Sequence, residues 1–127
     1  SESFIQYIEE HLEYLELEGF KIEKEITISS VQLQLDLSMM KRMMDNICSN
    51  IQKYARKEQP IYLQISIEKG NLKIVFENEK KETNHEVESN KIGLKSVKKI
   101  IEIHQGQCFI QDLMDSFILI ITFPCHL

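Results

Sequence analysis

Two asparagines, Asn46 and Asn50, lie four residues apart in a stretch whose apolar residues recur at helical spacing. Asparagine is a mediocre helix former because its side chain competes for backbone hydrogen bonds, and burying its amide without a partner costs about 1–3 kcal/mol. Two such residues on one face therefore indicate a partner from outside the helix. Lys53 and Tyr54 follow Asn46 by seven and eight residues, which places all four side chains on the same face.

These four side chains have the chemistry to hold a magnesium nucleotide. An asparagine carbonyl is a neutral oxygen ligand for a hard cation such as Mg²⁺, which keeps several waters and binds together with phosphates. Lys53 adds a positive charge for the phosphates, and Tyr54 offers a ring that can lie against a base while its hydroxyl stays in water. The spacing alone also fits a structural role, with the asparagines bonded to a neighbouring loop, and by itself it favours that simpler interpretation.

Three helices are predicted to position such a site. The asparagine helix is expected to begin after Asp36, a good N-cap residue. Its apolar stripe comprises Leu37, Met40, either Met43 or Met44, Ile47, Ile51 and Ala55. An earlier amphipathic helix is predicted over residues 3–18 with Gly19 as its C-cap, and a third from Ile92 to Ile103 with Gly106 just beyond its end.

Six strands are predicted around these helices. "FKIEKEITI" and "VQLQL" alternate apolar and polar residues after the first helix, and "IYLQISIE" and "LKIVFE" form a hairpin around Lys69, Gly70 and Asn71. "QCFIQD" and "SFILIITF" form a second hairpin, and the highly charged residues 79–91 are predicted to be a surface loop that could act as a lid. The order α-ββ-α-ββ-loop-α-ββ predicts an α+β fold, a two-layer α/β sandwich with one mixed sheet and helices on one face.

Length and composition predict one soluble domain over residues 1–127. Hydrophobic residues make up 43% and charged residues 28%, without an apolar run of about 18 residues. The net charge of −5 argues against nucleic acid as a partner. The three cysteines form no C-x-x-C pair, so we expect reduced thiols and a cytoplasmic location, with no disulfide framework or zinc site. The opening "SESFIQYIEE" is typical of a piece of a longer protein.

Two stretches resemble motifs of sensor histidine kinases. "DNICSNIQKYA" resembles their N box, N-L-x-x-N-A followed by a basic residue and an aromatic, and Asn46, Asn50, Lys53 and Tyr54 match it position by position. "NKIGLKSVKKIIEIHQGQ" resembles the G2 box and the helix that it opens. The order of elements is also similar to the catalytic ATP-binding domain of these kinases, whose fold is shared with gyrase-type and Hsp90-type ATPases.

The resemblance implies an Mg-ATP-binding catalytic domain of a bacterial two-component kinase. Asn50 would bind magnesium, Lys53 would lie near the phosphates, and Tyr54 would lie by the base. The other implied nucleotide-binding positions are Asn46, Asn78, Gly93, Leu94 and Lys95, with Gly93 and Leu94 under the phosphates and Lys95 adding charge unless it is simply a solvated surface residue. Gly93 is expected to open its helix, where free N–H groups and the helix dipole favour phosphate.

The same resemblance implies the partners. The γ-phosphoryl group of ATP would pass to a histidine on a dimerisation domain outside this chain, so the chain carries no catalytic residue of its own and is inactive alone. A cognate response regulator would follow in the pathway. The full-length protein would be a membrane-anchored homodimer with this domain on the cytoplasmic side.

The departures from the family lie in its G1 box, D-x-G-x-G. Asn78 stands where the family has an aspartate that accepts a hydrogen bond from the adenine amino group, Lys80 stands among its missing glycines, and Lys91 replaces the first glycine of G2. Some quorum-sensing kinases of Gram-positive bacteria carry a similar asparagine. Because an amide has an acceptor and two donors, Asn78 could flip to meet either the adenine amino group or the guanine oxygen.

Two alternatives stay open at this point. The missing glycines also fit a degenerate module that keeps the fold and only contacts partner proteins. An anti-sigma-factor-like serine kinase of the same fold would instead phosphorylate a separate protein.

Overall fold

The computed structural model describes residues 4–28, 33, 35–81 and 87–125, and only the backbone of residues 87–93. In chain order the elements are α1 (Phe4–Leu17), β1 (Ile22–Ile26), α2 (Leu37–Tyr54), β2 (Ile61–Glu68), β3 (Asn71–Glu79), α3 (Val87–Ile103), β4 (Gln107–Asp112) and β5 (Ser116–Pro124). The strands form one sheet in the order β1-β2-β3-β5-β4, in which β1 is parallel to β2 and the other pairs are antiparallel. The predicted α+β sandwich with a mixed sheet is confirmed.

The core lies between the helices and one face of the sheet. Leu63, Phe76 and Leu119 are directly paired across β2, β3 and β5, and all three are buried. The next row, which faces the opposite side, contains Tyr62, whose side chain is half exposed. The helices bury Ile8, Met43, Met44, Ile47, Val97 and Ile101 against the first face. Full burial of each such side chain stabilises the fold by about 1.5–3 kcal/mol. This gain favours packing the helices on the face of the sheet that carries the apolar side chains.

The predicted C-cap of α1 and the predicted N-cap of α2 are confirmed. Gly19 adopts φ +101°, and the Phe20 N–H donates to the Leu15 carbonyl at 3.0 Å, as in a glycine C-cap. Asp36 caps α2, since its Oδ1 accepts from the Met39 N–H at 3.1 Å. The hairpin between β2 and β3 is also as predicted.

Two sequence-based expectations about element boundaries need correction. α3 begins at Val87, so the loop predicted over residues 79–91 is helical in its last part, and Gly93 lies inside the helix and does not open it. Glutamate and lysine are good helix formers, so a charged stretch does not exclude a helix. The strand predicted at "VQLQL" falls partly on residues outside the described part of the chain, and the described Leu33 and Leu35 lie in neither helix nor strand.

The end of α3 differs in detail from the glycine cap expected there. Gln105, not Gly106, takes the left-handed conformation, with φ +65°. Gly106 is needed for space, because a Cβ at this position would overlap the Thr122 carbonyl oxygen and lie 2.9 Å from Ile101 Cγ2. The glycine therefore permits a close approach of α3's end to β5.

His104 joins the end of α3 to the start of α2. Its Nδ1 lies 2.8 Å from the Ile100 carbonyl oxygen, and its Nε2 accepts the Asp36 N–H at 3.0 Å. Because a carbonyl oxygen can only accept, Nδ1 carries the hydrogen and Nε2 is free to accept. The ring also packs edge-on against Phe123. Its position near a helix C-terminus suits a capping or surface residue and not a catalytic one, and the structure gives it a structural role.

Candidate functional site

The polar face of α2 begins with the two asparagines. Asn46 and Asn50 are half-buried, next to a stripe of fully buried methionines and isoleucines on the same helix. Among the described residues, the Asn50 Oδ1 is a buried acceptor that has no hydrogen-bond partner. Leaving such an atom unsatisfied costs about 1–3 kcal/mol, so a donor or a cation at this oxygen would recover free energy.

Lys53 and Tyr54 extend this face to the end of α2. The Lys53 side chain is exposed in the last helical turn, and the Tyr54 side chain is half-buried. The predicted clustering of the four residues on one helix face is therefore consistent with their burial. Their contacts with a nucleotide remain a prediction.

A backbone junction brings the end of β3 to the end of α2. Ala55 and Lys80 form an isolated antiparallel bridge, the Arg56 N–H donates to the Glu79 carbonyl at 3.0 Å, and the Lys81 N–H donates to the Tyr54 carbonyl at 2.8 Å. These bonds place Asn78, the next-to-last residue of β3, beside the C-terminal end of the asparagine helix. The sequence could not predict this, because the residues involved are more than 20 positions apart.

Asn78 is buried and its amide orientation is determined by the backbone. Its side chain is 4% exposed and, within the described residues, is the one buried polar side chain. Nδ2 donates to the Glu79 carbonyl at 3.1 Å. A carbonyl oxygen can only accept, so the flipped amide would lose this bond and oppose two acceptors, at a cost of about 1–3 kcal/mol. The flip that the sequence left open is therefore disfavoured, and Oδ1 is the amide atom turned away from Glu79.

Lys80, which stands among the missing glycines, binds the β4–β5 turn. Its ammonium donates to Asp112 Oδ1 at 2.5 Å and to the Leu113 carbonyl at 2.9 Å, while its backbone N–H donates to the Asp115 carbonyl at 2.9 Å. The charge is thus paired with a carboxylate, and the segment after Asn78 is attached both to α2 and to the β4–β5 turn. Sequence analysis missed this role because nothing local distinguishes the lysine from a solvated one.

The α3 residues of the predicted site have different surroundings. Gly93 is the seventh residue of α3, so the free N–H groups of the first turn belong to residues before it. The expectation that it opens the helix is wrong, and its contact with phosphates stays a prediction. Leu94 is 6% exposed and belongs to the core, whereas Lys95 is exposed. Their predicted roles also remain untested.

The donor set fits a magnesium ion that is held mainly by a nucleotide. The described residues contain no cluster of three or more histidines, cysteines, aspartates or glutamates that could hold a metal by itself. Mg²⁺ usually retains several waters and takes only one or two protein oxygens together with phosphates. The Asn50 Oδ1, which none of the described residues satisfies, is a suitable single ligand.

Comparison with known proteins identifies the fold. No family model matches the chain, and no curated protein matches it in sequence. Solved structures do match: Acinetobacter baumannii histidine kinase AdeS at 16% identity and TM-score 0.76, covering 98% of this chain and 66% of that one. The catalytic domain of histidine kinase ThkA matches at 14% identity and TM-score 0.78, covering 97% and 94%. ShkA, solved full-length with AMPPNP, matches at 12% identity and TM-score 0.72, covering 93% and 29%.

These likenesses establish that the chain has the fold of histidine kinase catalytic domains. The chain spans slightly less than two thirds of the AdeS structure but nearly all of the ThkA catalytic domain. Within the described part of the chain, no helix has both the length and the apolar character that a membrane span requires.

Proposed function

We propose that this chain is the Mg-ATP-binding catalytic domain of a sensor histidine kinase. The observation that carries the proposal is the buried Oδ1 of Asn50 on the polar face of α2, which has no hydrogen-bond partner in the described part of the chain, within the fold of histidine kinase catalytic domains. The complex of ShkA with AMPPNP supports nucleotide binding by a protein of this fold.

Each residue of the site would have a binding or orienting role. Asn50 would supply a neutral oxygen to magnesium, Lys53 a positive charge near the phosphates, and Tyr54 a ring beside the base. Asn78 would meet the base from the end of β3. Asn46 would line the same helix face, and Gly93, Leu94 and Lys95 would approach the phosphates from α3.

Phosphoryl transfer requires mainly that the reactants be positioned and their charge neutralised. Bound magnesium would neutralise phosphate charge, and this chain would hold the nucleotide until a histidine of a dimerisation domain is brought into line. Asn46 cannot accept a proton, so the polar face of α2 offers no general base for activating water. We propose, further, that the whole protein is a membrane-anchored homodimer acting on a response regulator, with this domain in the cytoplasm.

One observation favours a second candidate, a module that keeps the fold but binds only partner proteins. Lys80 ties the segment after Asn78 to the β4–β5 turn, where the kinases resembled here have glycines. Such a segment has less freedom to close over a nucleotide. Nucleotide titration separates the two candidates.

The test is calorimetric titration of the parent, Asn50→Ala and Asn71→Ala with Mg-ATP, and of the parent with ATP in EDTA. We expect the parent to bind only with magnesium, and Asn50→Ala to weaken binding about tenfold or more, since even groups that support a metal ligand contribute about 10–100-fold. The urea midpoint of Asn50→Ala should stay at or above that of the parent, because the mutation removes an unsatisfied acceptor.

Asn71→Ala is the matched control, since Asn71 begins β3 at the end far from the site. Failure of the parent to bind Mg-ATP would favour the protein-binding module. If Asn50→Ala binds as tightly as the parent, or unfolds, Asn50 is a structural residue.

A further inference from the structure

We propose that the sheet face opposite the helices is a docking surface for a basic amphipathic helix of a partner protein. This surface, the open face, comprises the strand residues in the rows of Tyr62 and Phe109, two side chains that are 48% and 53% exposed. None of the described helices packs on it, because α1, α2 and α3 bury their apolar residues against the other face. The inference goes beyond nucleotide binding, which is proposed for the polar face of α2.

The apolar half of the open face lies on β3, β5 and β4. Val75 pairs directly with Ile120, which in turn pairs with Phe109, so the three side chains adjoin across neighbouring strands. Ile118 lies two residues before Ile120 on the same face, and Val75, Ile118 and Ile120 are half-buried. A contiguous exposed apolar patch bordered by polar residues is typical of a protein–protein contact site. This half would supply the hydrophobic part of the contact.

The acidic half of the open face lies on β1, β2 and β3. Glu23 pairs directly with Tyr62, and Tyr62 pairs with Glu77, so the tyrosine lies between two acidic neighbours. Glu25 follows Glu23 by two residues and pairs with Gln64 in the next row. Within the described part of the chain, Glu23, Glu25 and Glu77 form no ion pair. Three negative charges are therefore available to a partner.

Both lysines of β1, β2 and β3 are already paired. Lys73 binds Glu68 at 3.3 Å on the open face itself. Lys24 binds Glu9 of α1 at 3.0 Å, on the other side of the sheet. Neither ammonium group neutralises the three glutamates, so a complementary positive charge would come from the partner.

A groove of about 390 Å³ lies in the acidic half. Its lining includes Glu23, Glu25, Tyr62, Gln64, Val75 and Glu77. A lysine or arginine side chain in this groove would meet the tyrosine and the carboxylates together, which combines a cation–π contact with charge-assisted hydrogen bonds. Because Val75 belongs both to the groove and to the apolar half, the two halves form one continuous surface.

Shape and charge together favour a helix from another protein. Five strands about 4.8 Å apart span about 19 Å, whereas a helix with its side chains is about 10–12 Å wide. One helix can therefore cover the apolar half while basic residues along its edge reach the glutamates. A second copy of this chain docked through the same face would oppose glutamates with glutamates. A metal ion is not favoured either, since the described residues contain no group of three or more histidine, cysteine or acidic side chains that could hold one.

The first experiment titrates the protein with two labelled peptides, LKKLLKLLKKLLKL and LEELLELLEELLEL, at an ionic strength of about 0.15 M. The peptides share one leucine stripe and differ in the sign of their charge. We expect the lysine peptide to bind about tenfold tighter or more, because the glutamate peptide would bring like charges together. We also expect the backbone amide NMR signals of Tyr62, Val75 and Ile120 to shift more than those of α1.

Three results of this titration would refute the proposal. They are equal binding of the two peptides, absence of binding of the lysine peptide at roughly 1 mM, and NMR shifts confined to the helices.

Charge-reversal variants test the acidic half. Glu23→Lys/Glu77→Lys changes the open face, and Glu13→Lys/Glu16→Lys makes the same change in net charge on the exposed side of α1. We expect the first variant to bind the lysine peptide about tenfold more weakly or worse, and the control to change binding less than about twofold. The reason is that charges farther apart than the Debye length of about 8 Å are largely screened. Equal effects of the two variants would show that only net charge matters and would contradict the proposal.

Phe109→Ala and Tyr14→Ala test the apolar half in the same way. Each removes an exposed aromatic ring, one from the open face and one from α1. We expect only Phe109→Ala to weaken binding of the lysine peptide, by about fivefold or more. Unchanged binding by Phe109→Ala would overturn the proposal. This pair decides should the charge-reversal variant not fold.

Sedimentation velocity of the parent tests a second copy as the occupant. We expect a monomer. A dimer that Phe109→Ala dissociates would assign the open face to self-association and overturn the proposal. None of these measurements requires a nucleotide, so a failure here leaves the proposed function standing.

Discussion

Cys48 shows how burial sets the chemistry of a single residue next to the candidate site. It lies between Asn46 and Asn50 on α2, and burial, with smaller contributions from the Asp45 and Glu18 carboxylates, raises its pKa from the usual 9.0 to about 12. Near neutral pH the thiol is therefore protonated in the folded protein. It has no thiolate with which to act as a nucleophile.

This shift predicts a loss of stability at high pH. The unfolded chain releases the Cys48 proton near pH 9 while the folded chain retains it to about pH 12. The contribution of Cys48 to the free energy of unfolding is therefore fully present below about pH 9, and it declines as the pH rises towards 12. Urea unfolding of the parent and of Cys48→Ala should show a steeper decline for the parent in this range. Parallel pH profiles would contradict the assigned shift.

At the residue scale, the sequence supplied the types and spacing of the candidate site residues but not their hydrogen bonds. The pattern of Asn46, Asn50, Lys53 and Tyr54 is local to one helix, and their common face follows from helical geometry. The orientation of the Asn78 amide depends on the backbone of Glu79 and Arg56. A main-chain carbonyl leaves no mark in the sequence.

At the scale of elements, the end of α3 shows two neighbouring residues with opposite requirements. Gln105 occupies a left-handed conformation, which costs a side-chain-bearing residue about 1–2 kcal/mol relative to the right-handed one. Gly106 lies against β5 in a space that a methyl group would overfill. Conformational strain alone would favour a glycine at position 105, but the need for space puts the glycine at position 106.

This arrangement predicts opposite effects of two substitutions. Gln105→Gly should leave stability unchanged or raise it by up to about 1 kcal/mol, because relief of strain is partly offset by the greater flexibility of glycine. Gly106→Ala should lower the free energy of unfolding by about 1–3 kcal/mol through overpacking. Urea unfolding of both variants measures the difference. Destabilisation by Gln105→Gly would contradict the strain at Gln105, and tolerance of Gly106→Ala would contradict the close approach of Gly106 to β5.

At the scale of the whole molecule, helices cover one face of the sheet, and none of the described helices covers the other. Phe123 on β5 is 1% exposed beneath the helices, whereas Phe109 on β4 is 53% exposed. Phe109 pairs with Ile120, which belongs to the face opposite the core. Phe123 on β5 therefore contributes more to the free energy of unfolding than Phe109 on β4.

Truncating each phenylalanine tests this asymmetry. Phe123→Ala should lower the free energy of unfolding by about 3–5 kcal/mol, because it leaves a cavity in the core. Phe109→Ala should cost far less, since much of its ring is already in water. Urea midpoints of the two variants are the measurement. Similar losses would indicate that the open face is covered in solution.

The sequence by itself determined the elements whose signals are local. Asp36 and Gly19 mark helix ends because capping involves neighbouring residues, and the two hairpins follow from alternation and short turns. The two-layer α+β class followed from the order of these elements. The start of α3 at Val87 was missed, because a charged composition suits an exposed helix as well as a loop.

Only the tertiary structure decided what depends on distant parts of the chain. The strand order β1-β2-β3-β5-β4 puts the last two strands in an order that the chain does not follow. The junction of Tyr54 and Arg56 with the end of β3 brings Asn78 to the asparagine helix, and Lys80 finds its partner on the β4–β5 turn. Each of these contacts is a hydrogen bond between residues far apart in sequence. Because a hydrogen bond acts only over a few ångströms, it forms only after the separate elements have packed together.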